Sequence, residues 1–281
     1  MDGLYNVWKN NVPIGNTRLS ITGNSVAGIR TAFQIPEWKI QLDAGYQSFN
    51  KISDIFITHS HADHIASLHL IILENISDKI TTNIYCPIDS AKLIEGMITS
   101  FLMCNYNSTR VPKHYYNVIG LEPGYLLDVK LNKQNIMVQS FYSDHTVVTL
   151  SYGFIEKKKK LKEQFTGINS KDIVALKSKG VDIYTQVEYK KIVFCGDTSI
   201  HIFTINPDIL TFDNIVIECT FFDDDDLKLA ETRKHMHWLQ LKPVILQNPH
   251  INFYIIHISA KHHDIEHLNT AMRTLNNVFI L

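Results

Sequence analysis

Residues 54–65 read Asp-Ile-Phe-Ile-Thr-His-Ser-His-Ala-Asp-His-Ile, so an apolar run ends directly in His59, His61, Asp63 and His64. No other stretch constrains the chain as tightly. Each imidazole carries two ring nitrogens that need partners once water is removed, so histidines do not cluster for packing. Asp54 to Ile57 has the length and β-branched composition of a buried strand. His59 and His61 are two apart and share a side in extended backbone, whereas Asp63 and His64 fall at the turn into a helix. Three imidazoles and one carboxylate at a strand end read as donors for a shared ligand.

The same pattern of strand and polar end recurs along the chain. Trp38–Leu42 runs into Asp43, and Asn83–Cys86 into Pro87. Ile136–Tyr142 runs into Ser143-Asp-His145, Lys191–Cys195 into Gly196-Asp197, Ile215–Ile217 into Glu218, and Phe253–Ile256 into His257. Helix-compatible stretches lie between them, at Asp63–Glu74, Asp89–Met97 (extending to about Leu102), Leu227–Leu241 and Ile265–Leu275. Alternating strands and helices predict layered α/β architecture. A chain of 281 residues, 45% hydrophobic, has enough core-forming material for one large α/β domain or two modest ones. Residues 156–191 are lysine-rich and less apolar, and are expected to form an insertion within a single domain spanning 1–281. A run such as Lys157–Lys160 ordinarily marks a solvated face.

A net charge of −1 gives no global attraction to nucleic acid, although a local basic patch needs none. Cys86, Cys104, Cys195 and Cys219 are scattered without a CxxC pair, which points to free thiols in a reducing compartment. The opening MDGLYNVWKN lacks a basic-then-apolar signal pattern, and no apolar run is long enough to span a bilayer. The expectation is a soluble intracellular, cytoplasmic protein without a membrane partner.

In layered α/β proteins, loops at the carboxyl ends of strands are where ligands collect. His59, His61, Asp63, His64, His145, Asp197 and His257 would there supply seven nitrogen and carboxylate groups, more than one tetrahedral ion can use. They suit two cations, zinc foremost and manganese or iron next, with Asp197 as the bridging carboxylate. Two metals about 3.5–4 Å apart activate water and stabilise phosphoryl displacement. His69, His114, His201, His250, His263 and His267, each alone, read as surface or satisfied core residues.

HSHADH resembles the HxHxDH signature of the metallo-β-lactamase superfamily, whose fold is a four-layered αββα sandwich. His145 in SDHTVVTLSYGF, Asp197 in FCGDT and His257 in IIHISAKH resemble the superfamily's remaining ligand positions, in order. Within it, the chain is most similar to ribonuclease Z, the tRNA 3′-processing endonuclease, in its short plant-type form. ECTFFDD at 218–224 and KHMHW at 234–238 resemble two of that family's motifs, and residues 161–183 resemble the matching segment of the plant-type enzymes. The likeness runs from about residue 15 to the end of the chain. It departs in three places: residues 146–196 hold no Gly-Pro arm motif, Lys261 stands where the family commonly has arginine, and the bacterial Pro-x-Lys-x-Arg-Asn loop is absent.

The resemblance implies a metal-dependent endoribonuclease that cuts the 3′ trailer from precursor tRNA. His59, His61 and His145 would hold one Zn2+, and Asp63, His64 and His257 a second, with Asp197 between them and Mn2+ as a substitute. Asp63 would orient the attacking water. Glu218 paired with His235 would supply the acid for the leaving ribose oxygen, with His237 as the other candidate. Asp223–Asp226 reads as a solvated loop or helix start. The insertion's lysines would contact phosphates without reading sequence, and a homodimer is expected. Two other readings remain open: a hydrolase of the same fold acting on a small phosphodiester, thioester or lactone, and a metal-binding scaffold without catalysis.

Overall fold

A computed structural model describes residues 11–47, 51–262, 268, 272 and 274–281. Two seven-stranded sheets form the centre. The first comprises β1 (Val12–Pro13), β2 (Ser20–Val26), β3 (Arg30–Ile35), β4 (Ile40–Leu42), β5 (Asp54–Phe56), β6 (Thr82–Pro87) and β7 (Tyr116–Leu121), in that order. The second comprises β8 (Leu126–Leu131), β9 (Gln134–Ser143), β10 (Thr149–Leu161), β11 (Tyr184–Phe194), β12 (Asn214–Glu218), β13 (Asn252–Ile256) and β14 (Val278–Ile280), also in order. Each sheet opens with an antiparallel meander and ends in parallel strands, so the two halves of the chain repeat one topology.

The layers follow from the side-chain period of two. At the end of β11, Ile192 and Phe194 face the first sheet, while Val193 and, just past the strand, Cys195 face the helices. Tyr254 and Ile256 against Phe253 and Ile255 repeat the split along β13. Ile21, Phe33, Ile40 and Phe56 meet Val138, Tyr152, Phe154 and Phe194 in the core between the sheets. Outside the first sheet, Ile55, Ile57 and Ile84 pack on α2 (Leu68–Ser77) and α3 (Ile88–Tyr106). Outside the second, Val193, Ile215 and Phe253 pack on α5 (Ile202–Ile205) and α7 (Trp238–Gln247). The result is the expected αββα sandwich. Among the described residues no helix is long and apolar enough to cross a membrane.

Two expected helices are each broken once. The 63–74 stretch splits into α1 (Ala62–Ile65) and α2, and 227–241 into α6 (Leu227–Arg233) and α7, with Lys234 left-handed at φ 55° between them. Most of 265–275 lies outside the described residues. The lysine-rich stretch is built partly from regular strand. Lys157–Lys160 continue β10, paired residue for residue with Glu188–Thr185 of β11, and Lys158–Lys160 are exposed along it. This two-stranded arm carries α4 (Ser170–Ser178) at its tip. A cleft of about 660 Å³ beside it is lined by Asp128, Lys130, Asn135, Lys157 and Lys159, far along β10 from His145.

Candidate metal centre

His59, His145, Asp197 and His257 follow the carboxyl ends of β5, β9, β11 and β13, and Glu218 closes β12. Within the second sheet β9, β11, β12 and β13 run in one direction, and their ends meet that of β5 at one edge of the sandwich. Two hydrogen bonds tie the sheets there: Tyr152 Oη to the Ile57 carbonyl at 2.7 Å, and the Leu150 amide to the Thr58 carbonyl at 2.9 Å. Close approach requires glycine beside Asp197. A Cβ on Gly196, whose φ is +35°, would lie 2.7 Å from the Thr58 Cβ.

All seven sequence-nominated donors converge. His59, His61, His145 and Asp197 place one donor atom each within 4.8 Å of the others, and so do Asp63, His64 and His257. In the first group the separations are 3.1 Å (His59 Nε2 to His61 Nδ1), 3.3 Å (His145 Nε2 to His61 Nδ1), 3.8 Å (His59 Nε2 to Asp197 Oδ2) and 3.9 Å (His145 Nε2 to Asp197 Oδ2). A tetrahedron with spokes of about 2.05 Å has edges of about 3.3 Å, so the group is close to the size of a zinc cage. In the second group His257 Nε2 is 3.4 Å and His64 Nε2 3.6 Å from Asp63 Oδ2. Asp197 belongs to both, with Oδ2 3.3 Å from His257 Nε2 and Oδ1 3.4 Å from His64 Nε2.

Buried polar atoms normally find partners, yet His64 Nε2 and Asp197 Oδ1 have none. Four rings turn their other nitrogen away from the centre and donate it to the scaffold. His59 Nδ1 bonds Thr58 Oγ1 at 3.0 Å, His64 Nδ1 bonds Asp43 Oδ2 at 2.8 Å, His145 Nδ1 bonds the Lys234 carbonyl at 3.2 Å, and His257 Nδ1 bonds Thr220 Oγ1 at 3.0 Å. That tautomer leaves Nε2 facing the shared space, which is how ligating histidines are oriented. Burial, reinforced by neighbouring imidazoles, keeps His59 well below the usual imidazole range and also lowers His61 and His145, so all three favour the neutral form a ligand needs. For His64, burial is outweighed by Asp197 and Asp43 on either side, and its proton affinity rises. The residues present fit a divalent cation.

Sequence reasoning missed Asp43. It is fully buried, sits at φ 56°, and accepts from the Thr58 amide at 2.7 Å and from the Thr58 hydroxyl as well as from His64. Its signal was available, because it too is a carboxylate just past a buried strand. Thr220 plays the parallel part in the other half, passing its hydroxyl proton to Glu218 Oε2 at 2.5 Å behind His257.

Glu218 is fully buried, and four donors surround it. Oε1 accepts from the Thr198 amide at 2.8 Å and His235 Nδ1 at 2.7 Å. Oε2 accepts from Thr220 and, at 3.1 Å, from the Met236 amide. Burial opposes charge on His235, but the Glu218 carboxylate overrides it and pushes the imidazole up to about 9. The His235 ring stacks on His257 with centroids 5.4 Å apart and lies 4.9 Å from His145, and its side chain is 15% exposed. His237 is different: it is fully buried, its Nδ1 accepts from the Leu239 amide to cap α7, and its Nε2 donates to the Asp223 carbonyl. Both nitrogens are committed to structure. Lys261, at the position where arginine was expected, pairs with Asp226 and lies 3.8 Å from Asp223, so its charge is already answered.

No family model matches the chain. The tRNase Z TRZ1 of Arabidopsis thaliana is 25% identical over 248 residues, covering 86% of each chain. Among solved structures, the short form of human tRNase Z superposes with a TM-score of 0.58 at 14% identity, over 92% of this chain and 94% of that one. The metallo-beta-lactamase fold protein YhfI from Bacillus subtilis gives 0.57 at 15% identity, over 92% and 93%.

Proposed function

We infer that this chain, a ribonuclease Z of the metallo-β-lactamase superfamily, is a metal-dependent endoribonuclease that removes the 3′ trailer of precursor tRNA. Two observations support the reading: the tRNase Z relatives at good coverage, and the Glu218–His235 pair standing at 2.7 Å beside the donor cluster. The pair carries the choice of reaction, because only a substrate with a poor leaving group needs a held proton there. A thioester hydrolase, whose thiolate leaves without a proton, or an inert scaffold has no use for it.

The donors would hold two Zn2+, or Mn2+, with His59, His61 and His145 on one, Asp63, His64 and His257 on the other, and Asp197 shared. When bound, the cations lower the pKa of water and neutralise charge on the phosphodiester. Asp63 orients the attacking water and takes its proton; the amide of Gly28 at 3.0 Å from Oδ2 fixes this carboxylate. The oxygen–phosphorus bond forms as the bond to the ribose 3′-oxygen breaks. His235 protonates that oxygen through Nε2, its Nδ1 being committed to Glu218. His235 lies within donor distance of Asp197 and His257, but seven other groups already serve two cations, and its Nδ1 is held by Glu218.

The chain is read as one domain with the β10–β11 arm as its extension. From Thr149 to Lys160, β10 reaches up to about 35 Å at roughly 3.3 Å per residue, away from its own centre. This distance supports a homodimer in which each arm grips RNA bound at the other centre. The protein is assigned to an intracellular, reducing compartment.

Zinc-loaded protein incubated with a 3′-extended tRNA tests the reading. Cleavage just after the discriminator nucleotide is expected, abolished by Asp63→Ala. Turnover of bis(p-nitrophenyl) phosphate with intact tRNA would overturn the substrate, and bound zinc without any turnover would overturn the enzyme.

A further inference from the structure

We propose that Lys234 and Asp144 form a positioning latch that holds the acid His235 in register with the metal centre; the proposal rests on the role given to His235 above. Lys234 occupies the left-handed position that ends α6, with φ 55°. Glycine adopts that conformation freely and is the usual residue there. A lysine in its place is explained by what both its ends hold. The Lys234 carbonyl accepts from His145 Nδ1 at 3.2 Å, and its ammonium donates to Asp144 Oδ1 at 2.8 Å. One residue thus grips both a metal-facing histidine and that histidine's neighbour, and the next residue along the chain is His235.

The hydrogen bonds close into a ring. Asp144 Oδ2 accepts from Ser199 Oγ at 2.6 Å, and the Asp144 carbonyl accepts from the Ser199 amide at 2.9 Å. Ser199 adjoins Thr198, whose amide bonds Glu218 Oε1, and that same oxygen accepts from His235 Nδ1. The path Glu218–His235–Lys234–Asp144–Ser199–Thr198 returns to its start. Glu218 sets the rotation of the His235 ring, and Lys234 sets where its backbone stands relative to His145. A misplacement of about 1 Å costs on the order of 10²-fold in rate, so a turn between two short helices needs such a tether if its side chain is to meet a developing charge.

Leaving groups of graded basicity distinguish positioning from general support. During turnover the electron pair of the breaking bond goes to the leaving oxygen, which takes the proton from His235. A p-nitrophenolate leaves without that proton, whereas phenolate and ribose oxygens depend on it. The experiment uses zinc-loaded Lys234→Met, Asp144→Asn, Lys234→Arg and, for reference, His235→Gln. Each is assayed on phosphodiesters with leaving groups graded from p-nitrophenol to phenol and on 3′-extended tRNA, with zinc content measured.

Lys234→Met and Asp144→Asn should keep their zinc and their p-nitrophenyl rate, yet lose about 10- to 100-fold in kcat toward phenol and RNA, steepening the leaving-group dependence as His235→Gln does. Lys234→Arg should restore most of the loss. Equal loss along the series, loss of zinc, no loss anywhere, or an RNA effect confined to KM would each overturn the latch. If the wild type cleaves the graded diesters but leaves tRNA whole, the ribonuclease reading fails, and the diester series alone still decides the latch.

Discussion

At the scale of single residues, His235 and Asp43 show two ways a carboxylate sets the behaviour of a neighbouring imidazole. His235 is raised to about 9 by Glu218, from an ordinary value of about 6.5. In the proposed mechanism the acid form is the working form, so RNA cleavage should persist through neutral pH and fall as pH climbs through about 9. Glu218→Gln removes the charge that outweighs burial, so the alkaline limb of the kcat profile should move to lower pH, and its staying in place would contradict the pairing. Asp43 orients His64 from behind, and Asp43→Asn should weaken zinc affinity by about 10- to 100-fold, read by competition with a chromogenic chelator. The donors were legible in the sequence because each is a polar group just past a buried strand. Asp43 obeys the same rule but escaped, since a lone aspartate before Ala-Gly reads as a turn. His235 and His237 were not separable by spacing; the helix cap and the Asp223 carbonyl that occupy His237 are tertiary contacts.

At the scale of elements, the catalytic edge interrupts regular structure where the sequence pattern alone would continue it. Apolar periodicity ran through 227–241, yet Lys234 turns left-handed and sets His235 beside Glu218 before α7 begins. The outer half of β10 is the reverse case: four successive lysines read as solvated, but their backbone groups pair with β11, and Lys157 and Lys158 find Asp128 and Glu156. Strands β2 and β7, partly polar and half-exposed, carried too weak an alternation to be read in advance; β8 does alternate, Leu127, Val129 and Leu131 against Asp128 and Lys130, and was passed over. The approach of the two sheets beside Asp197 rests on Gly196. Gly196→Ala forces a Cβ to 2.7 Å from the Thr58 Cβ and should cost about 1–3 kcal/mol of stability, seen as a lower denaturation midpoint with an unchanged slope.

At the scale of the whole molecule, charge is placed rather than accumulated. A net charge of −1 hides an arm where Lys157–Lys160 lie far along β10 from the donors. Replacing those four with glutamine should raise KM for tRNA far more than it lowers kcat. The slope of log affinity against log salt should become shallower by about 0.7–0.9 for each phosphate the arm no longer neutralises, and an unchanged slope would remove the arm from RNA binding. Layered α/β architecture was legible because strands and helices alternate along the chain; the four-layered arrangement followed from the resemblance carried by HSHADH and the later ligand positions. The arm's reach was not legible, since it depends on register.

The two halves of the sandwich repeat one topology, and the donors are divided between them: His59, His61, Asp63 and His64 from the first, His145, Asp197 and His257 from the second. During translation the first four emerge together and the last only once β13 has been made. A ribosome-bound chain therefore lacks the complete donor set until β13 has emerged. Any activity that needs the whole donor set is thus withheld until both halves have been made and can fold together.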